Sequence, residues 1–109
     1  MALTVEKLRA QVERFPDDAL SRFALGKKLF DADDSGETVE EAATHLRAAN
    51  HLDPSHLATY HVLGQVLIRL NEKDEARRVL EEGIRRVGGI GEGMGRDLGP
   101  LMRQMLESL

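Results

Sequence analysis

An acidic run in the first third of the chain has part of the ligand pattern of a calcium-binding loop. Counted from Asp31, the segment 31–36 has Asp, Asp, Ser and Gly at the first, third, fifth and sixth loop positions. Such a loop closes with a bidentate Glu at its twelfth position, but Ala42 stands there and Glu41 lies one residue short. Because the ligand set is incomplete, we interpret the run as a solvated acidic loop ahead of a helix. No metal ion is predicted.

The histidines and serines have spacings that indicate neither a metal site nor a catalytic site. None of the four histidines forms an i, i+4 pair or a zinc-ligand spacing; they are His45, His51, His56 and His61. No Ser–His–Asp or Cys–His arrangement can be assembled, because the serines fall at expected helix ends, on helix faces or in a loop, and cysteine is absent. We therefore predict no enzyme activity and no cofactor.

A glycine-rich tract near the C-terminus resembles a phosphate-binding loop in composition alone. Five of the eight residues from Gly88 to Gly95 are glycine, and this density disfavours a stable helix. Nucleotide-binding loops follow a strand and end in Gly-Lys-Ser/Thr, whereas no strand is expected here and no such ending is present. The tract is interpreted as a joint ahead of a last helix.

The overall composition limits the classes of partner. The 109 residues fit one domain, and the net charge of −4 opposes attraction to nucleic acid. The sequence has no apolar segment of the roughly 20 residues that span a bilayer, and no signal-peptide pattern at its start. The absence of cysteine suits a reducing compartment. We expect a cytoplasmic protein that binds neither nucleic acid nor membrane.

Apolar residues at steps of three and four predict five helices ahead of the glycine tract and one after it. Thr4 is expected to cap the first helix, and Pro16 to end it. The third helix is expected to open at Thr38 in a capping box with Glu41. Asn71 is predicted to end the fourth helix in the left-handed conformation.

Two segments of the chain repeat each other. The pattern Leu-Gly-x-x-Leu occurs at 25–29 and again at 63–67, and the pattern Ala-x-x-x-Leu occurs at 42–46 and again at 76–80. The first pair is offset by 38 residues and the second pair by 34. The first copy therefore contains four additional residues between its two patterns, which we place in the acidic loop.

These patterns resemble the tetratricopeptide repeat (TPR) family, whose signature is W-x₂-L-G-x₂-Y, then A-x₃-F, then P, at a 34-residue period. The second copy has Tyr60 in the first aromatic place, and the first copy ends at Pro54. Arg22 departs from the signature, because the first copy should have an aromatic residue there. The resemblance implies an all-α fold, a TPR-like α-α superhelix of antiparallel helical hairpins with about six helices or fewer. The small glycine and alanine residues would then lie where the helices of a hairpin approach closely.

The resemblance covers residues 17–87 and implies a single TPR-like domain over 1–109. Its parts are an N-terminal capping helix (3–15), repeat 1 with the four-residue insertion (17–53), repeat 2 (54–87), a glycine-rich joint (88–96) and a C-terminal capping helix (97–109). The last helix has an apolar stripe from Leu98 to Leu109. It either caps the fifth helix or forms an exposed dimer or partner surface, and we favour the cap because an uncovered stripe promotes association.

In the TPR family the first helix of each hairpin lines a concave groove, and the resemblance implies such a groove here. Its residues would be Leu20, Phe23, Lys27 and Phe30 from the first hairpin, and Ala58, His61, Val62, Gln65, Ile68 and Arg69 from the second. This mixture of apolar and polar side chains suits a short peptide or a helix of another protein. The implied function is a protein–protein interaction scaffold or adaptor; the alternative is a homodimer formed through the last helix.

Two points limit this expectation. Some TPR proteins grip a C-terminal carboxylate with a basic, Asn-rich clamp, but here Phe23 stands in place of the clamp Lys and Lys27 in place of an Asn. We therefore do not predict a chaperone-tail binder. The alternative for Phe23 and Phe30 is that they belong to the hydrophobic core.

Overall fold

The computed structural model describes residues 4–32, 35–88 and 98–109, and α-helix is the regular structure found in those ranges. The helices are α1 (Val5–Arg14), α2 (Ala19–Ala32), α3 (Gly36–Leu52), α4 (Leu57–Arg69), α5 (Lys73–Gly88) and α6 (Leu98–Glu107). They fall into two compact units, Met1–Pro54 with α1–α3 and Ser55–Leu109 with α4–α6. The all-α prediction is confirmed, whereas the single-domain boundaries stay a prediction.

Helix α1 begins and ends at the residues that the sequence predicts. The Thr4 side chain accepts a hydrogen bond at 3.1 Å from the backbone N–H three residues further on, which caps the helix. Phe15 is the C-cap and directly precedes Pro16, and a residue before proline is disfavoured in the helical conformation. Leu8 and Val12, one turn apart, are buried. Their shared face attaches α1 to the first unit.

Helix α3 begins earlier than predicted and has a different cap. Ser35 is the N-cap, and its side chain accepts a hydrogen bond from the backbone N–H of Thr38 at 3.3 Å. The predicted capping box of Thr38 and Glu41 is therefore wrong, because Thr38 already lies in the first turn of the helix. The Glu41 carboxylate instead contacts Arg9 and His45.

Asn71 follows the C-cap of α4, Leu70, and terminates the helix in the left-handed conformation, as predicted. Asn71 has φ 62°, and the described residues include no other non-glycine residue with a positive φ. Its backbone N–H donates to the carbonyl of Ile68 at 3.0 Å, and that of Glu72 donates to the carbonyl of Leu67 at 2.9 Å. These two bonds form a Schellman motif, which satisfies the last carbonyls of the helix.

In the first unit, α2 and α3 are in close contact at Gly26. A Cβ atom at Gly26 would lie 2.6 Å from Cγ of Leu46 and 3.1 Å from the carbonyl oxygen of Ala42. A residue without a Cβ is therefore required at this position. Helix α1 packs on α2 from within the same unit, and the buried apolar side chains of the unit are Leu8, Val12, Leu25, Leu29, Val39, Ala42, Ala43, Leu46 and Ala49.

The second unit has two close approaches of the same kind. A Cβ atom at Gly64 of α4 would lie 2.7 Å from Cδ2 of Leu80 on α5. A Cβ atom at Gly83 of α5 would lie 2.7 Å from both Cβ of Tyr60 and Sδ of Met102. Tyr60, Leu80 and Met102 are themselves buried and form the centre of this unit. The glycines thus bring α4, α5 and α6 together.

Helix α6 packs on α5 and α4, as the capping alternative requires. Met102 is fully buried, and Leu98, Met105, Leu106 and Leu109 pack partly buried against the same centre. Most of the apolar stripe is therefore covered within the second unit. The predicted glycine-rich joint lies outside the described residues, except that Gly88 is the last residue of α5. Within residues 4–32, 35–88 and 98–109, no helix combines the length and the apolar composition of a membrane-spanning segment.

Candidate functional site

The four residues predicted on α2 occur at steps of three, four and three, so they share one face of that helix. Leu20 is 60% exposed, although it is a large apolar side chain. Phe23 and Phe30 are partly buried, a placement between the two alternatives that the sequence leaves open. Lys27 is exposed and its Nζ lies 2.8 Å from Oδ2 of Asp31, one turn further along the helix. The face therefore combines accessible apolar surface with one ion pair.

The predicted residues on α4 divide into exposed and buried members. Gln65 and Arg69 are exposed, one turn apart. Val62 is only 6% exposed, and Ile68 packs against the centre of the second unit. His61 is partly buried, and burial lowers its pKa from the ordinary value of 6.5. An uncharged imidazole at this place can both donate and accept a hydrogen bond.

The sequence of α4 contains no Asp or Glu between Leu57 and Arg69. The accessible part of α4 consequently includes the guanidinium of Arg69, the amide of Gln65 and the imidazole of His61, without a carboxylate on the same helix. These groups can bind a peptide through hydrogen bonds and charge. They do not provide a nucleophile.

A cluster of four polar side chains in the first unit was not predicted from the sequence. We call Arg9, Arg22, Glu41 and His45 the polar cluster. Nη2 of Arg9 donates to Oε1 of Glu41 at 2.8 Å, and Oε2 of Glu41 lies 3.4 Å from Nε2 of His45. Nδ1 of His45 lies 3.3 Å from Nη1 of Arg22, whose Nε donates to the carbonyl oxygen of Pro16 at 2.9 Å. The cluster connects α1, α2 and α3.

One sequence signal pointed toward this cluster without identifying it. Arg22 occupies the place where the second copy of the repeat has Tyr60, which is a departure from the repeat pattern. In the structure Tyr60 is 2% exposed at the centre of the second unit, whereas Arg22 binds the imidazole of His45. Arg22, at the repeat position where the signature has an aromatic residue, thus has a polar partner on the facing helix.

The acidic run offers no metal site in the described ranges. Asp33 and Asp34 lie outside the described residues. Of the remaining acidic residues, Asp31 pairs with Lys27, and Glu41 is shared between Arg9 and His45. Residues 4–32, 35–88 and 98–109 contain no group of three or more His, Asp or Glu side chains placed to hold a metal ion.

Comparison with known proteins supports the repeat that the residues indicate. Residues 35–88, which span α3, α4 and α5, match the family described as Tetratricopeptide repeat. The TPR repeat-containing protein PA0015 of Pseudomonas aeruginosa is 33% identical to this chain over 82 residues, which are 75% of this chain and 74% of that protein. This chain belongs to the tetratricopeptide repeat family. The resemblance drawn from its Leu-Gly and Ala-Leu patterns is therefore confirmed.

A solved TPR structure has the same fold. The TPR2B domain of yeast Sti1, in a complex with pHsp70, matches with a TM-score of 0.77 over 96% of this chain and 82% of that chain, at 18% sequence identity. A likeness at this identity concerns the fold alone. The TPR-like fold predicted from the sequence is confirmed; α2 packs on α3, and α4 packs on α5.

The TPR pattern also accounts for two of the closely packed glycines. Gly26 and Gly64 occupy equivalent repeat positions, and each lies against the equivalent leucine of the second helix of its hairpin, Leu46 or Leu80. The TPR signature has a small residue at this place for the same steric reason. The prediction that small residues mark the close approaches within each hairpin is confirmed.

Proposed function

We propose that this TPR protein is an interaction adaptor that binds a short peptide or a helix of a partner protein in the concave groove, which the first helix of each hairpin lines in the TPR family. The observation that carries the proposal is the exposure of Leu20, an apolar side chain on the helix that lines the groove in the TPR family. Exposed apolar surface beside polar groups is typical of a peptide-binding surface. Membership of the TPR family supports a protein-interaction function in general.

The α2 face supports this proposal through side chains that can change partners. The ion pair of Lys27 with Asp31 joins two half-exposed groups, and such surface pairs contribute at most about 1 kcal/mol. Lys27 can therefore leave Asp31 for a carboxylate on a partner at small cost. Leu20 and the accessible part of Phe23 would supply the apolar contact beside it.

The Sti1 domain was solved in a complex with pHsp70, which supports a protein segment as the ligand class for this chain. The chaperone-tail clamp is not part of the proposal, because Phe23 and Lys27 replace the clamp Lys and Asn. We expect a ligand read by apolar contact, with Lys27, Gln65 and Arg69 contributing polar contacts. The ten residues predicted for the groove remain the proposed site.

We further propose that the adaptor acts in the cytoplasm and has no catalytic activity. A chain without cysteine suits a reducing compartment. TPR proteins are in general interaction modules, and the chemistry of the α2 and α4 faces supports binding. The proposed site contains no activated nucleophile or acid–base pair.

Affinity capture with matched variants tests the site. We would compare the wild type with Lys27→Glu and Arg69→Glu, using Lys28→Glu and Arg77→Glu as controls, because the controls reverse exposed charges outside the proposed site. A partner that the wild type and both controls capture, and that both face variants lose, supports the proposal. If the face variants retain the partner while circular dichroism shows them folded, the proposed site is wrong.

A second candidate function is self-association through α6. Leu101 is 44% exposed on that helix, whereas its neighbour Met102 is fully buried. Light scattering of the wild type and of Leu101→Glu separates the two candidate functions. Leu101 is chosen because a surface residue can be changed without damaging the core. A wild-type monomer would remove this alternative.

A further inference from the structure

The protonation state of His45 is determined by its two neighbours in the polar cluster. A guanidinium only donates hydrogen bonds, so the contact of Arg22 with Nδ1 requires that Nδ1 has no proton. An ionised carboxylate only accepts, so the contact of Glu41 with Nε2 requires that Nε2 has one. The cluster therefore fits the neutral imidazole with its proton on Nε2. A second proton on Nδ1 would replace the acceptor of Arg22 with an N–H that faces a cation.

The charged groups around His45 come from all three helices of the first unit. They are Arg9 on α1, Arg22 on α2 and Glu41 on α3 itself. Burial is the largest influence and lowers the pKa of His45 from 6.5; the hydrogen bond that the imidazole donates to Glu41 raises it, and the charge of Arg22 lowers it. The net pKa is lowered because the side chain of His45 is only 14% exposed, and the charge of Arg9 adds to the lowering.

The second unit lacks the equivalent polar contact. Arg22 and Tyr60 occupy equivalent positions of the two repeats, each four residues before the glycine of the Leu-Gly pattern. His45 and Val79 are also equivalent, each one residue before the leucine of the Ala-x-x-x-Leu pattern. Val79 packs against the centre that contains Tyr60. A TPR hairpin thus folds with an apolar pair at these positions. Folding of a TPR hairpin consequently does not require a polar contact such as that of Arg22 with His45.

We infer that the polar cluster is an acid-sensitive switch that holds α1 on the α2–α3 hairpin and loosens it when His45 is protonated. Arg9 attaches α1 to Glu41, and Arg22 attaches the α1–α2 turn through the carbonyl of Pro16. Protonation of His45 repels Arg22 and draws Glu41 away from Arg9 toward the imidazolium. Both attachments of α1 weaken in the same step. This switch does not depend on the proposed partner-binding function.

The consequence of the switch is an acid-dependent opening of α1. Leu8 and Val12 are buried while α1 lies on the hairpin, so opening of α1 exposes these apolar side chains to solvent. Above about pH 6.5, the ordinary imidazole pKa, His45 is neutral and α1 is closed. Below it, the opening equilibrium increases by up to about tenfold for each unit by which the pKa of His45 is lower in the closed state than in the open state.

Amide hydrogen exchange of the full chain tests the inference, expressed as protection factors so that the intrinsic pH dependence of exchange is removed. Between about pH 7.5 and about pH 5, a range that brackets histidine titration, the α1 amides should lose protection in the wild type. They should not lose it in His45→Gln, because a Gln carbonyl can accept from Arg22 and its amide can donate to Glu41 at every pH. His61→Gln is the matched control and should behave like the wild type in α1.

A second variant and a second measurement keep the inference testable if His45→Gln does not fold. Arg22→Tyr combined with His45→Val gives the first unit the apolar pair of the second, and should also make α1 protection independent of pH. Nitrogen NMR of the wild-type His45 ring should show the proton on Nε2 at neutral pH. The inference is overturned if α1 protection in the wild type is unchanged by acid, if His45→Gln loses it equally, or if the ring proton is on Nδ1.

Discussion

Gly64 and Leu80 are in such close contact that a Cβ atom at Gly64 would lie 2.7 Å from Cδ2 of Leu80. Leu80 is fully buried at the centre of the second unit, so moving its side chain disturbs the packing of its buried neighbours. We therefore expect Gly64→Ala to lower the free energy of unfolding by about 1–3 kcal/mol, the usual cost of overpacking a core. Denaturant titration followed by circular dichroism measures this change.

The control for that substitution is Gly36→Ala. Gly36 is the first residue of α3, and a Cβ atom there would meet nothing within 4 Å. Replacement of an unstrained glycine reduces the entropy of the unfolded chain and stabilises by about 0.5 kcal/mol. If both variants lose equal stability, close packing at Gly64 is not the cause.

Met102 and Leu101 are neighbours on α6 with opposite surroundings, one fully buried and the other 44% exposed. Met102→Ala should lower the free energy of unfolding by about 2–5 kcal/mol, because it removes a side chain from the centre of the second unit. Leu101→Ala should change it by less than about 0.5 kcal/mol. Thermal unfolding of both variants checks the pair, and similar losses would show that α6 does not cap the unit.

Asn50 on α3 has a buried side-chain nitrogen, Nδ2, for which the described part of the chain provides no hydrogen-bond partner. An unsatisfied buried donor costs about 1–3 kcal/mol. Asn50→Leu removes the donor at similar volume and should raise the free energy of unfolding by about 1 kcal/mol. Asn50→Ala removes the donor but leaves a void, so it should gain less. A loss of stability in Asn50→Leu would mean that the amide has a partner.

His61 predicts a pH dependence of stability in the second unit. Burial lowers its pKa below 6.5 in the folded state, so the unfolded chain binds a proton more readily. The free energy of unfolding should therefore be independent of this group above about pH 6.5, and should decrease as the pH falls from there to the folded pKa. His61→Gln should flatten that part of the stability curve. Denaturant midpoints across the range measure the effect, and an unchanged slope in the variant would contradict it.

The TPR fold could be predicted from the sequence because its signals are local. Leu-Gly and Ala-Leu patterns indicate close helix approaches within one hairpin, and Asn71 indicates its own turn. The cap of α3 was misassigned because Ser35 and Thr38 both precede a suitable backbone donor by three residues. The local sequence allows either Ser35 or Thr38 to be the N-cap of α3, and it does not determine which of the two starts the helix.

The polar cluster could not be predicted, because its members are distant in sequence. Arg9 and Glu41 are 32 residues apart, and Arg22 and His45 are 23 apart. Their contacts depend on the rotation of α1 about its axis and on the angle at which α2 meets α3. Apolar spacing gives the face of a helix that is buried, but it does not give the polar residues that meet at the edge of that face.

The burial of Tyr60 at the centre of the second unit has a spectroscopic consequence. The chain has one tyrosine and no tryptophan, and its three phenylalanines are Phe15, Phe23 and Phe30 in the first unit. Tyrosine emission and near-ultraviolet dichroism therefore report on the second unit, and the fine structure of phenylalanine absorption reports on the first. Unfolding of each unit can therefore be followed optically in the unlabelled protein.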